Sequence, residues 1–148
     1  MSEEKKLTPE EANKYMEEQM LFVPRMFKVA NQINPEAGKT FADFYNSLWK
    51  DGALSRKVKE LIFMACAVAY CSPRCIVHAY PAAKAGATVE ETFEAAAIGM
   101  IAAGFVPGGP GIPYAFEYAA KCVEIVEKTH KGEPWEYLPK PKWDHGVY

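Results

Sequence analysis

Apolar positions along this chain recur at three- and four-residue intervals, and each run is announced by a recognisable start signal. Thr8-Pro9-Glu10-Glu11 reads as a capping box: a side-chain acceptor, a proline suited to the first helical position, and a glutamate able to reach back. Asn34-Pro35 opens a run in which Phe41, Phe44, Tyr45 and Leu48 share one face. Ser55 precedes "RKVKELIFMACAVAY", apolar on most sides beyond Glu60 and so expected to be central in the core. Thr88-Val89-Glu90-Glu91 is a second capping box, leading into "TFEAAAIGMIAA". The glycine- and proline-rich "GFVPGGPGIP" breaks the chain before a last helix near residues 114–128. Residues 131–148 carry Pro134, Pro139 and Pro141 among Trp135, Tyr137, Trp143 and Tyr148, too much proline for a helix and too many aromatics for free solvation.

No stretch alternates with period two for long enough to predict a sheet. The expectation is an all-α fold of six or seven helices in a single domain, residues 1–148, with a core from about residue 8 to 130 and the proline- and aromatic-rich tail beyond it. There is no low-complexity segment, and helix lengths do not repeat regularly enough for a solenoid.

Composition narrows the function classes. A chain of 148 residues is long enough for a sizeable core. Hydrophobic residues at 49 % and charged residues at 24 % are ordinary for a globular protein. A formal net charge of −2 offers no electrostatic case for nucleic acid or an anionic membrane. The N-terminus, "MSEEKKLTPEEANKYMEEQM", lacks the pattern of a secretory signal. The apolar stretch at residues 61–70 is about half a membrane span. A cytoplasmic setting is therefore expected, where a cysteine pair is more often catalytic or metal-binding than structural.

The chemistry concentrates in "AYCSPRCIVHAYPAAKAGAT", which holds two of the four cysteines and one of the three histidines. Pro73 suits the first helical position, making Ser72 the N-cap and placing Cys75 at the third position. Gly86 suits the C-terminal left-handed cap. A thiol in the first turn faces unsatisfied N–H groups and the positive end of the helix dipole, which favours the thiolate. Ser72 can direct its hydroxyl at that sulfur. His78, three residues on, shares the helical face and can relay a proton. Arg74 adds positive charge. Cys71 lies before the cap, and bridging it to Cys75 requires the turn to bring their Cβ atoms within about 4 Å.

Glu60 stands out among Leu61, Ile62, Phe63 and Met64. A carboxylate buried there would be pushed up by desolvation and could exchange protons near neutral pH; alternatively, it lies on the solvated stripe with Arg56 and Lys57. Cys66 and Cys122 read as small hydrophobes in buried helices. His130 and His145 belong to no constellation and are expected in solvent. Cys71, Cys75 and His78 offer three metal ligands, but at a spacing that matches no familiar zinc pattern, so no metal or cofactor is expected. The glycine-rich break lacks the Lys-Ser/Thr of a phosphate-binding loop, and neither a G-x-S-x-G nor an H-E-x-x-H motif occurs.

The segment "KELIFMACAVAYCSPRCIVHAYPAAKAGATVEETFEA", followed by the glycine-rich break, resembles the carboxymuconolactone decarboxylase and alkylhydroperoxidase D-like (AhpD-like) family. The likeness covers residues 54–118, with weaker agreement at "FVPRMFKVANQINPEAGKTFADFY". In that family a glutamate on one helix precedes C-x-x-C, a histidine one turn later, an A-G-A-T-like turn and an acidic helix start. The resemblance implies an all-helical, AhpD-like fold assembling as trimers or hexamers. It also implies a small-molecule substrate and, in the peroxidase branch, a thiol reductant protein. In that branch the second cysteine reacts, the first resolves it as a disulfide, and the glutamate and histidine move protons. The decarboxylase branch acts on a lactone acid without depending on a cysteine pair.

This sequence departs from the pattern by one residue. Counting forward from Glu60 puts Ser72 and Cys75 at the two cysteine positions, whereas counting back from Ala85-Gly86-Ala87-Thr88 aligns His78 and puts Cys71 and Arg74 there. The forward count keeps Pro73 at the helix start and is preferred. The candidate site is thus Cys75, His78 and Glu60, with Cys71 and Ser72 beside them. The expected activity is thiol-dependent oxidoreduction of a peroxide or disulfide. The alternatives are proton transfer on a small organic acid or lactone, with Arg74 as a carboxylate clamp, and a binding or assembly role for the aromatic tail.

Overall fold

The computed structural model describes residues 6–102 and 112–136. Among them are seven helices and no strand, the all-α class that the periodicity predicts. The chain divides into two compact units, Met1–Arg56 and Lys57–Tyr148.

The first unit holds α1 (Pro9–Met20), α2 (Arg25–Ile33) and α3 (Pro35–Trp49). The capping box at α1 is complete. The Glu11 N–H donates to Thr8 Oγ1 at 3.2 Å, and the Thr8 N–H donates to Glu11 Oε2 at 2.9 Å. Met16, Met20, Ala42 and Tyr45 form the core of this unit, with Phe27 stacked on Phe41 at its edge. Helix α2 has no sequence signal of its own, because Pro24 opens it without a side-chain cap. It is held by the buried Asn31, whose Nδ2 donates to Asn13 Oδ1 of α1 at 2.9 Å.

The second unit holds α4 (Arg56–Ala69), α5 (Arg74–Lys84), α6 (Val89–Ala102) and α7 (Ile112–Lys131). Helix α4 is not buried all round. Glu60, Met64, Ala67 and Val68 face inward at helical spacing, so Ile62, Cys66 and Tyr70 fall on the outer side. Cys66, expected to be a buried small hydrophobe, is exposed for that reason. The inward face joins Cys75, Ile76, Ala79 and Ala83 of α5, Ala96 of α6, and Ala115, Ala119, Cys122, Ile125 and Val126 of α7 in one core.

Two left-handed caps set the path between these helices. Helix α4 ends with the Cys71 N–H on Val68 O (2.9 Å) and the Ser72 N–H on Ala67 O (2.8 Å), with Cys71 at φ +52°. Helix α5 ends the same way: the Gly86 N–H meets Ala83 O, the Ala87 N–H meets Ala82 O, and Gly86 takes φ +86°. Glycine at the second cap follows from its lack of a Cβ; a cysteine at the first costs about 1–2 kcal/mol in backbone strain.

The capping box at α6 also forms. Thr88 and Glu91 exchange bonds of 2.9 and 3.1 Å, and the other Glu91 carboxylate oxygen accepts from Lys57 of α4 at 2.7 Å. Close approach of α6 to α4 requires Gly99, where an added Cβ would lie 2.4 Å from the Ala65 carbonyl oxygen. After α7, Trp135 packs against the core, its ring 5.5 Å from that of Tyr80. Residues 103–111, which hold most of the glycine-rich break, and the tail beyond Glu136, with His145, lie outside the described residues.

Replacing Gly99 with alanine forces α4 and α6 apart and is expected to lower stability by about 1–3 kcal/mol. Denaturant unfolding measures it, and a midpoint equal to that of the parent chain would refute the close approach.

Candidate functional site

The left-handed turn at Cys71 brings α5 back beside α4, and the two helices then share a polar contact inside the apolar core. His78 Nδ1 and Glu60 Oε2 are 2.6 Å apart, with the Glu60 side chain 0 % exposed and that of His78 5 %. Glu60 is therefore on the inner face of α4 and not on a solvated stripe with Arg56 and Lys57. The pairing satisfies a carboxyl group that burial alone would make costly. It also fixes the orientation of the imidazole. The Phe63 ring lies 3.8 Å from the imidazole, centroid to centroid, and holds it from one side.

Helix α5 begins one residue later than the proline signal implies. Pro73 itself occupies the cap in a helical conformation, and Cys75 is the second helical residue. Ser72 is not a side-chain N-cap of the expected kind. Its Oγ lies 3.4 Å from the Arg74 N–H, while its carbonyl accepts from the Cys75 N–H at 3.3 Å. Proline cannot donate, and the turn that ends α4 uses the Ser72 N–H, so the opening of α5 shifts forward. Arg74 is exposed.

Cys75 remains in the first turn, but the structure gives its sulfur a neighbour that sequence reasoning missed. The Cys122 thiol of α7 donates to it, and this donation holds the Cys75 thiol below the usual range; backbone N–H groups of Cys75 and Ile76 act in the same direction, against burial. Cys122 is correspondingly pushed well above the usual thiol range, first by the bond it gives Cys75 and then by burial. Both residues are 0 % exposed. The burial of Cys122 is legible, since Ala115, Ala119, Cys122 and Val126 form an inward stripe on α7. Its partner is not, because the contact joins helices far apart in the chain.

Of the predicted residues, Glu60 and His78 are thus in direct contact, and Cys75 lies one turn before His78 on the same helix. Cys71 is half-buried and in no disulfide, with its backbone committed to the end of α4. Among the described residues, no three His, Cys, Asp or Glu side chains are placed to hold a metal ion. His130 is exposed. An apolar groove of about 380 Å³ runs between α6 and α7, lined by Phe93, Met100, Phe116 and Val123 among others, and none of the candidate residues lines it. No helix among the described residues is long and apolar enough to cross a membrane.

A family model described as the carboxymuconolactone decarboxylase family matches residues 35–121. The matched stretch includes Glu60, Cys71, Ser72, Cys75 and His78 and ends one residue before Cys122. No curated protein and no solved structure matches the chain.

Because the Cys122 thiol is the largest cause of the low Cys75 value, Cys122→Ala leaves desolvation less opposed, and the Cys75 pKa is expected to rise. Thiolate absorbance followed against pH measures it, and a titration unchanged from the parent chain would exclude donation from Cys122.

Proposed function

We propose, from the premise that this chain belongs to the carboxymuconolactone decarboxylase family, that it is a thiol-dependent oxidoreductase acting through Cys75. The observation that carries this reading is the local arrangement: a first-turn thiol held below the usual range, one turn before an imidazole bonded to a buried carboxyl group. Nucleophile, base and orienting group then follow the logic of an activated nucleophile. In the proposed step the Cys75 thiolate attacks the terminal oxygen of a hydroperoxide. The S–O bond forms and the O–O bond breaks, leaving a sulfenic acid. The departing alkoxide receives the proton that His78 took from the thiol, and Glu60 keeps the imidazole oriented throughout. The sulfur is oxidised by two electrons and the peroxide is reduced to an alcohol. An external thiol supplies the returning electrons. The closed packing around Cys75 favours a small hydroperoxide over a bulky disulfide as the oxidant.

A second reading is favoured by one observation, the complete burial of Cys75 within the core. On that reading Glu60 and His78 transfer protons on a small organic acid or lactone, and the thiol takes no part.

For either activity, the exposed Phe93, Ile98 and Ile101 of α6 and Phe116 of α7 around the apolar groove support assembly with further copies of the chain, as the family resemblance implies. Light scattering that returned the mass of a single chain would remove that part of the proposal.

Cys75→Ser is expected to abolish peroxide turnover, and His78→Asn or Glu60→Gln to lower it by about 100- to 10,000-fold. Steady-state hydroperoxide consumption with a dithiol reductant measures these effects. A Cys75→Ser chain with most of its activity intact would exclude the thiol mechanism in favour of proton transfer.

A further inference from the structure

Helix α4 meets the His78 imidazole with two side chains. Glu60 and Phe63 stand three residues apart, one turn along that helix. The Glu60 carboxyl group bonds at the Nδ1 edge, in the plane of the ring, at 2.6 Å. The Phe63 ring lies 3.8 Å from the imidazole, centroid to centroid, with its plane tilted by 32°. Aromatic pairs ordinarily keep their centroids about 4.5–7 Å apart. An edge-on ring cannot come closer, because its hydrogens intervene, so at this separation the imidazole lies over the negative face of Phe63.

We propose that Phe63 is a positioning residue for the thiol reaction, its aromatic face stabilising the imidazolium that His78 becomes on taking the Cys75 proton. The inference rests on the reading of Cys75 as the reactive thiol and His78 as its base. In that step the S–H bond breaks and an N–H bond forms, leaving sulfur negative and the imidazole positive. The imidazole carries this charge until the departing alkoxide takes the proton. Water can do little for it: the His78 side chain is 5 % exposed, and an unsupported charge in an apolar core is costly. Glu60 acts on one edge of the ring and cannot cover its flat face. Phe63 covers it, well inside the separation of about 6 Å at which a cation and an aromatic ring attract. A leucine at position 63 would fill the space but carry no quadrupole.

Phenylalanines bearing one, two and three ring fluorines at position 63 test this role, because fluorination weakens the quadrupole and nearly preserves the shape. Full-length chain is exposed to excess hydrogen peroxide with dimedone present to trap the sulfenic acid. The label on the tryptic peptide of residues 75–84, released by cleavage after Arg74 and Lys84, then gives the rate of Cys75 oxidation. The rate should fall stepwise with each fluorine, by about 2- to 30-fold over the series, and by a similar factor in Phe63→Leu. Phe63→Tyr, which keeps the aromatic face, should react close to the parent rate. Unfolding midpoints along the fluorinated series should match the parent, which separates this role from simple packing. Equal rates along the series, with Cys75 labelled in every chain, would overturn the role of Phe63 and leave Cys75 the reactive thiol. A parent chain whose residues 75–84 take no label would remove the thiol mechanism and this inference together.

Discussion

A carboxyl group in the middle of an apolar helix face has to find a polar partner or leave the core. In this protein the partner of Glu60 is His78, and much of the second unit is arranged around their contact. The bond requires α5 to run back beside α4 with His78 facing inward. That orientation in turn places Cys75, one turn earlier, toward α7 and not toward solvent. The left-handed turn at Cys71 makes the reversal possible within a few residues. Helix α6 then closes the other flank, admitted to within backbone distance of α4 by the missing side chain at Gly99.

The cysteines separate into different physical roles despite their proximity in sequence. Cys66 faces outward on α4. Cys71 accepts an unfavourable backbone conformation to finish that helix, which is a structural task whatever chemistry its sulfur retains. Cys75 and Cys122 lie in one buried core, where their interaction shifts them in opposite directions: Cys75 is eased toward its anion and Cys122 is held toward the neutral form. Burial pushes both thiols up, opposing the shift of Cys75 and adding to that of Cys122. The downward shift of Cys75 owes more to Cys122 of another helix than to the backbone N–H groups at its own helix end.

The apolar groove between α6 and α7 is distinct from the Glu60–His78 contact. The inner faces of α6 and α7 build the core, while Phe93 and Phe116 remain outward. A single helix pair thus serves two surfaces, one buried in the core and one facing outward.

Local rules determined much of the architecture from sequence. Thr8 and Thr88 with their glutamates, Pro35 at a helix start and Gly86 at a helix end each act through atoms within a few residues, and each forms as expected. Spacing and the oddity of a carboxylate among apolar neighbours single out Glu60 and His78 in the sequence, and the structure brings these two together. Other features were decided only in three dimensions. The sequence could not say whether Glu60 faced inward, because a helix apolar on most sides has no unique buried face until others pack on it. It could not exclude glycine's usual monopoly on the left-handed cap at Cys71, since the chain's reversal there is imposed by packing on both sides. Nor could it bring Cys75 and Cys122 into one core: that depends on the relative rotation of α5 and α7, which the whole core sets together.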